Sequence, residues 1–286
     1  MTPVDISILM VTYNHEGYIA NAIDSVLQQV GPFVIELVIG NDCSTDKTFS
    51  VISDYQARYP QTIKCVTSNI TRGYQGNLMD TLGRCAGRYV AILDGDDYWT
   101  DCNKLKKQLA ILESSPCHVI CFARTLERVE QDGVVVASRT MPILNKIEFT
   151  IEDLLEWDFI PTSTAVFRNT NALKNLPSWM IELPTIDWAL WTLLAQHGTI
   201  VYLPDTVSVY RKHSQGLWTG KTIRDQLRCN QMFYERIRSE LPERYGELIT
   251  LGLRRLHHQY EQAAQRGILD VSGFLMLEWA HTRLDA

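Results

Sequence analysis

A chain of 286 residues, 45% of them hydrophobic and 21% charged, has the make-up of a globular protein with room for a sizeable core. Its formal net charge of −6 departs from the basic balance normal for a nucleic-acid-binding domain, so nucleic acid is not expected as a partner. No run of about 18 apolar residues marks a membrane span, and Met1-Thr2-Pro3-Val4-Asp5 lacks the basic-then-apolar order of a signal peptide.

The first element is Ile6-Ser7-Ile8-Leu9-Met10-Val11, a near-continuous apolar run of strand length. Such runs belong to parallel strands buried on both faces. Thr12-Tyr13-Asn14-His15-Glu16-Gly17 breaks the pattern with polar residues. Residues 18–29 follow, with Ile19, Ala22, Ile23, Val26 and Leu27 at helical spacing. The order then repeats. Residues 34–39 are strand-like, and Asn41-Asp42-Cys43-Ser44-Thr45-Asp46 is a loop. Residues 47–59 are helical, with Phe49, Ile52 and Tyr55 on one face and Thr45 or Asp46 available as a cap. A strand at 63–67, a loop at 69–73, a helix at 76–85 and a strand at 89–93 complete the series. Alternating β and α units at this spacing imply an α/β fold with a mostly parallel sheet and helices on both faces. Ligands in such sheets bind beyond the carboxyl ends of the strands. The loops at 12–16, 41–46 and 94–97 are therefore expected to share one crevice.

The fourth strand runs into Leu93-Asp94-Gly95-Asp96-Asp97-Tyr98-Trp99. Carboxylates this close raise each other's pKa unless a cation or donor hydrogens meet them. Hard cations such as Mg²⁺ or Mn²⁺ prefer oxygen ligands of this kind, and a cation held there could hold a diphosphate. An acidic surface turn uses the same residue types. The convergence of three polar loops at strand ends favours a functional role.

Residues 104–113 read as a helix with Leu105, Leu109 and Leu112 as its apolar stripe. Strands at 119–125 and 134–137 flank Gln131-Asp132-Gly133, a hairpin turn. Thr150 opens a short helix, with Asp153 three residues on as a box-like start. Residues 163–167 read as a strand and 186–196 as a helix rich in Trp and Leu. Residues 199–203 and 207–210 read as two short strands around Pro204-Asp205. From Thr222 the chain is helical and more charged, with Pro242 as an interruption. We expect a main domain at 1–221 and a C-terminal helical extension at 222–286. Its plainer role is packing; oligomer formation or membrane-surface contact through its helices, where Arg254, Arg255, His257 and His258 make a basic patch, is open. Seven scattered cysteines, odd in number, argue against a disulfide framework and fit a reducing cytoplasm. Cys117-His118-Val119-Ile120-Cys121 lacks a second ligand pair, so zinc is not expected there.

Taken together, Ile8-Leu9-Met10-Val11-Thr12-Tyr13-Asn14, Asn41-Asp42-Cys43-Ser44-Thr45-Asp46 and Leu93-Asp94-Gly95-Asp96-Asp97-Tyr98-Trp99 resemble the family-2 nucleotide-sugar glycosyltransferases, which have the GT-A fold. The resemblance runs from about Asp5 to Trp218. It implies that Thr12, Tyr13 and Glu16 meet the nucleotide base and that Asp42 bonds the base or ribose, with Asn41 where the family often has another acid. It places Gly73 and Asn77 near the nucleotide. It puts Asp94 and Asp96, with Asp97 adjacent, at ribose and metal, with Mn²⁺ or Mg²⁺ as cofactor. In Thr185-Ile186-Asp187-Trp188, Asp187 matches the catalytic base, and Ile186 stands where an acid commonly precedes it. Tyr210-Arg211-Lys212-His213 matches a segment near the diphosphate, with Arg211 on the phosphates and His213 as metal ligand or phosphate donor.

The resemblance further implies inversion at the anomeric carbon and a nucleotide-sugar donor, UDP-linked by default. The acceptor would be a hydroxyl of a glycan or lipid-linked glycan in cell-surface polysaccharide biosynthesis. The location would be cytoplasmic, with peripheral association at the inner face of the membrane. Among Trp157, Phe159, Trp179, Trp188 and Trp191, one or two rings are expected to line the acceptor site and most to be core. A nicotinamide-dependent oxidoreductase would need Gly-x-Gly-x-x-Gly after the first strand, and a P-loop NTPase its own glycine loop; neither is present. A nucleotidyltransferase would carry a Gly-rich, Lys/Arg-bearing N-terminal loop. A non-catalytic nucleotide-sugar-binding or assembly protein on the same fold remains the alternative. It would have lost one of Asp94, Asp96 and Asp187, and all stand here.

Overall fold

The computed structural model describes residues 3–131, 134–141, 143–213 and 216–270. The N-terminal series is β1 (Ile6–Thr12), α1 (Ile19–Leu27), β2 (Ile35–Asn41), α2 (Thr48–Arg58), β3 (Ile63–Thr67), α3 (Gly73–Leu82) and β4 (Tyr89–Ile92). There follow β5 (Tyr98–Trp99), α4 (Lys104–Ser114), β6 (His118–Gln131), β7 (Val134–Thr140), β8 (Glu148–Phe149) and α5 (Ile151–Glu156). The rest comprises β9 (Val166–Arg168), α6 (Ile186–Ala195), β10 (Thr199–Lys212), α7 (Ile223–Ile237) and α8 (Gly246–Gln265).

One mixed sheet carries the strands in the order β3-β2-β1-β4-β9-β6-β10-β5, with β7 on β6 and β8 on β10. The pairs from β3 to β4 are parallel, as is the long β6–β10 pair, while β9 runs antiparallel to both its neighbours. The apolar run of β1 is explained by two cores. Ile6, Ile8 and Met10 face one, Leu9 and Val11 the other. Parallel strands covered on both faces have no side left for polar residues.

Several elements differ from the sequence reading. Helix α3 begins at Gly73, three residues early, because Asp42 from another loop accepts the N–H groups of Arg72 and Gly73 at 2.7 and 2.9 Å. Those donors would otherwise be orphaned at a helix start. Gly73 has φ +72°, a backbone region that side chains rarely enter. The strand expected at 163–167 is only Val166–Arg168. Thr162–Thr164 is a 3₁₀ turn in which the Thr164 hydroxyl bonds back to the Pro161 carbonyl at 2.8 Å. The two strands around Pro204-Asp205 are one strand, β10, whose register shifts at Leu203/Thr206 absorb the proline. Strands β6 and β7 do pair antiparallel; Asp132 and Gly133 of the expected turn lie outside the described residues. Thr150 and Asp153 form the expected capping box.

The C-terminal helices share the main core. Phe233 stacks on Trp188 at 3.9 Å, Tyr234 meets Trp188 edge-on, and the Tyr234 hydroxyl donates to the Leu155 carbonyl at 2.9 Å. Ile237, Leu241, Tyr245 and Ile249 join the same cluster as Leu9, Val90 and Trp191. The part of the expected extension at 271–286 lies outside the described residues.

Lys104 is fully buried at the start of α4. Its Nζ lies 4.1 Å from the Trp99 ring centroid and has no hydrogen-bond partner. One helical turn on, the Gln108 amide donates to the carbonyls of Cys121 and Thr164 at 3.0 and 2.9 Å. Burial pulls the Lys104 pKa down to about 7, against the small opposing pull of Cys121 and Asp101.

Candidate active site at the acidic turn

The three strand-end loops do meet. Asp42 N–H donates to the Thr12 carbonyl at 3.0 Å and Gly95 N–H to the Val11 carbonyl at 2.9 Å. A Cβ on Gly95 would stand 2.8 Å from the Thr12 Cβ and Oγ1, so only glycine lets the acidic turn lie this close to β1. The first two loops are laced together. Asn14, at φ 55°, accepts the Thr45 N–H at 2.8 Å; Glu16 accepts the Lys47 N–H at 2.8 Å; Asp46 accepts the Glu16 N–H at 3.0 Å and the Thr48 N–H at 2.9 Å.

The acidic turn presents its carboxylates in three different settings. Asp97 is 2% exposed and accepts the Arg211 N–H at 2.9 Å, so it fastens the turn to β10. Burial pushes its pKa well up, and the charges of Asp96 and Asp94 add to that. Asp96 is the focus of two imidazoles. His213 Nε2 lies 3.2 Å and His15 Nε2 3.6 Å from the same oxygen, Oδ2. Burial would raise the Asp96 pKa, but the hydrogen bond to His213 and the charges of both histidines outweigh it and hold the group below the usual range. Among the described residues, the Asp94 carboxyl is met by the Tyr74 hydroxyl, at 3.5 Å. Burial drives its pKa well up, and Asp96 and Asp187 push the same way.

Asp187 stands in the first turn of α6. Its Oδ2 accepts the Thr162 hydroxyl at 2.7 Å and its Oδ1 the Trp188 N–H at 3.0 Å. Its charge acts on both Asp94 and Tyr74, which puts it near the acidic turn. Glycine and helix geometry thus bring residues from β1, β4, α6 and β10 to one place.

Other expected residues serve the walls. Arg211 is not free to meet a diphosphate. Its guanidinium pairs with Glu130 at 3.2 Å, donates to the Asp96 carbonyl at 2.6 Å and the Asn21 Oδ1 at 2.7 Å, and stacks 4.4 Å over Tyr98. It clasps the acidic turn to α1 and β6. Lys212 pairs with Glu127 at 2.8 Å. Asn77 is buried and donates to the Gly40 carbonyl at 2.8 Å, so its amide holds α3 against β2. Both Asp42 oxygens already accept backbone N–H groups. Glu16 is likewise bonded to the neighbouring loop, and Tyr13 is exposed. Thr12 is buried with its Oγ1 unpartnered beside Gly95. Of the aromatic group, Phe159, Trp179, Trp188 and Trp191 are core, and only Trp157 is partly exposed.

Two residues escaped the sequence reading. His15 lies in a loop already singled out, yet nothing local says that it reaches Asp96. Asp158 follows α5, and burial, with the charge of Asp187, pushes its pKa well above the carboxylate range.

Whether this site suits a divalent cation can be judged from its donors. Among the described residues no group of three or more His, Cys, Asp or Glu side chains forms a metal cage. Mg²⁺-type sites need none, since they use one or two carboxylates with substrate phosphates and water. Asp94, a partly buried carboxylate with no cation beside it, and Asp96, with His213 at 3.2 Å, supply suitable donors.

A model described as Glycosyl transferase family 2 matches residues 7–172. An uncharacterized protein of Mycobacterium tuberculosis is 35% identical over 212 residues, which cover 74% of this chain and 60% of the relative. The chain thus spans about three-fifths of the mycobacterial relatives' length. An Escherichia coli protein named UDP-Glc:alpha-D-GlcNAc-diphosphoundecaprenol beta-1,3-glucosyltransferase is 26% identical, covering 78% of this chain and 83% of its own. Among solved structures, Staphylococcus aureus TarS with UDP-GlcNAc superposes with a TM-score of 0.68 at 20% identity, covering 90% of this chain and 73% of that one. The mannosyltransferase PcManGT of Pyrobaculum calidifontis, with GDP-Man and Mn²⁺, gives 0.62 at 16% identity over 93% and 76%. The fold is thus the GT-A arrangement expected.

Proposed function

Because the chain belongs to glycosyl transferase family 2, we propose that it moves a sugar from a nucleotide-diphosphate donor to an acceptor hydroxyl with inversion. The observation that supports this reading is that Asp187, on another element, comes near enough to the acidic turn for its charge to act on Asp94. One displacement needs a base on the face of the sugar away from the leaving diphosphate. Asp187 receives the acceptor proton. The Thr162 hydroxyl at 2.7 Å fixes the orientation of its carboxylate. The crevice aligns the two reactants, which replaces an encounter by a held geometry.

Asp94 and Asp96, with His213, would hold Mn²⁺ or Mg²⁺, which supplies Lewis-acid stabilisation of the leaving diphosphate. Asp97 and Arg211 act on that end indirectly, by fixing the turn. Thr12, with its unpartnered buried hydroxyl, is the polar group of the first loop best placed to take a nucleotide contact. A UDP-sugar is the donor we favour, supported by the UDP-GlcNAc bound to TarS and the UDP-Glc in the E. coli relative's name. The same relative's name supports a lipid-linked glycan acceptor. No helix among the described residues is long and apolar enough to cross a membrane.

The test is a thermal-shift series with UDP, with and without Mn²⁺. At a hundredfold excess over Kd, a bound nucleotide adds about 2.7 kcal/mol, a rise of about 4–5 °C for a chain of this size. Asp96→Asn should remove the Mn²⁺-dependent part of that rise. An unchanged shift would remove Asp96 from the metal.

A further inference from the structure

The acids near the base are not confined to the turn. The charge of Asp187 acts on Asp94 on one side and on Asp158 on another, so Asp187 stands near both. Asp158 belongs to the segment between α5 and the 3₁₀ turn at Thr162–Thr164. That segment is clamped to the start of α6 at both ends. The Trp188 indole donates to the Leu154 carbonyl at 2.9 Å, and the Thr162 hydroxyl donates to Asp187 at 2.7 Å. Beside Asp158, Trp157 packs on Phe159 at 5.5 Å and is the one partly exposed ring of the aromatic group.

The carboxyl of Asp158 has little to do within the protein. Oδ1 accepts the Ile160 N–H of its own loop at 3.3 Å. Among the described residues no cation pairs with it; the nearby Arg255 pairs with Glu156 at 3.8 Å. A partly buried acid next to another acid, with no cation and one long hydrogen bond, is costly unless something else uses it. Ile186, which precedes the base, is fully buried and offers the crevice no polar group.

We propose that Asp158 is an acceptor-binding residue: its carboxyl takes a second hydroxyl of a sugar acceptor while Asp187 takes the attacking one, so that the acceptor end of the site is built for a saccharide with neighbouring hydroxyls. This deepens the glycosyl-transfer reading and rests on it. Burial, with the charge of Asp187, raises the pKa of Asp158, which fits the role, since a protonated carboxyl both donates and accepts. Trp157 supplies the apolar surface that a sugar ring packs against.

The experiment uses the whole chain with UDP and Mn²⁺, titrated with methyl glycosides of glucose, galactose and N-acetylglucosamine and followed by ligand-observed NMR. Turnover is not required. The wild type should bind at least one glycoside; Asp158→Ala should weaken it about tenfold or more, the loss of a hydrogen bond to a buried acid. Asp158→Asn, which keeps a donor and an acceptor in the same volume, should stay within about threefold of the wild type. UDP affinity by calorimetry should be equal in all three. A wild type that binds none of the glycosides, or an Asp158→Ala chain that binds them as the wild type does, overturns the proposal. Failure of UDP itself to bind counts instead against the glycosyl-transfer reading, because it is measured without any glycoside.

Discussion

The two walls of the crevice are built on opposite terms. In the wall made by β1, β2 and the start of α3, nearly every acid is already engaged. Asn14, Glu16, Asp42 and Asp46 all accept backbone N–H groups from neighbouring loops. In the wall made by the segment after α5 and the start of α6, Asp187 accepts the Thr162 hydroxyl and the N–H of the next residue, Trp188, and Asp158 makes one long contact to its own loop, so both acids are met from their own wall and not from another loop. The first wall uses its polar side chains to tie loops to one another, whereas the acids of the second bond only within that wall.

Three substitutions or conditions would sharpen or break that contrast. The largest effect belongs to Asp187→Asn. Loss of a general base costs about 10²–10⁴-fold, so sugar transfer to acceptor or water should fall by about a thousandfold while nucleotide affinity and Tm stay level. Retained transfer would strip Asp187 of the role. Arg211→Ala should act the other way round. It breaks an ion pair whose side chains are 10% and 9% exposed, a loss of about 3 kcal/mol, read as a fall in the urea midpoint. Arg211→Lys should recover only part of it, because the ammonium lacks the fork that reaches Glu130, Asp96 and Asn21 together. A drop in activity with unchanged stability would mean that Arg211 faces the substrate after all.

The smallest effect comes from a buried group outside both walls, at the start of α4. Lys104 has a folded-state pKa of about 7 against 10.5 for the free side chain. The unfolded chain therefore binds more protons between those values, and stability contributed by this group rises with pH through that window. Below it, the folded chain carries the full cost of a buried ammonium, softened by the Trp99 ring. Urea titrations at pH 7 and pH 9 should show a gain of about 2 kcal/mol at the higher pH. Lys104→Met should flatten that difference; an equal rise in the variant would assign it to other groups.

The β/α series was legible because each parallel strand is buried on both faces and so reads as an unbroken apolar run, as β1 and β4 do. The acidic turn was legible because its three acids are adjacent. What escaped depends on partners far along the chain. Arg211 looks like a phosphate ligand until Glu130, 81 residues away, is seen to hold it. His15 meets Asp96 only because Gly95 lets the turn approach β1. Asp158 carries no motif of its own, and its neighbour Asp187 is supplied by another element. The start of α3 was misplaced for the same reason, since its first N–H groups are met by Asp42 of another loop.

The stacking of Phe233 and Tyr234 on Trp188 bears on how such a chain can diverge. The family match stops at residue 172, yet the ring beside the base is seated on α7. A lineage that swapped its C-terminal helices for another module would have to repack Trp188 in the same event, one residue from Asp187. Repacking of those helices is thereby tied to the start of α6, where Asp187 stands.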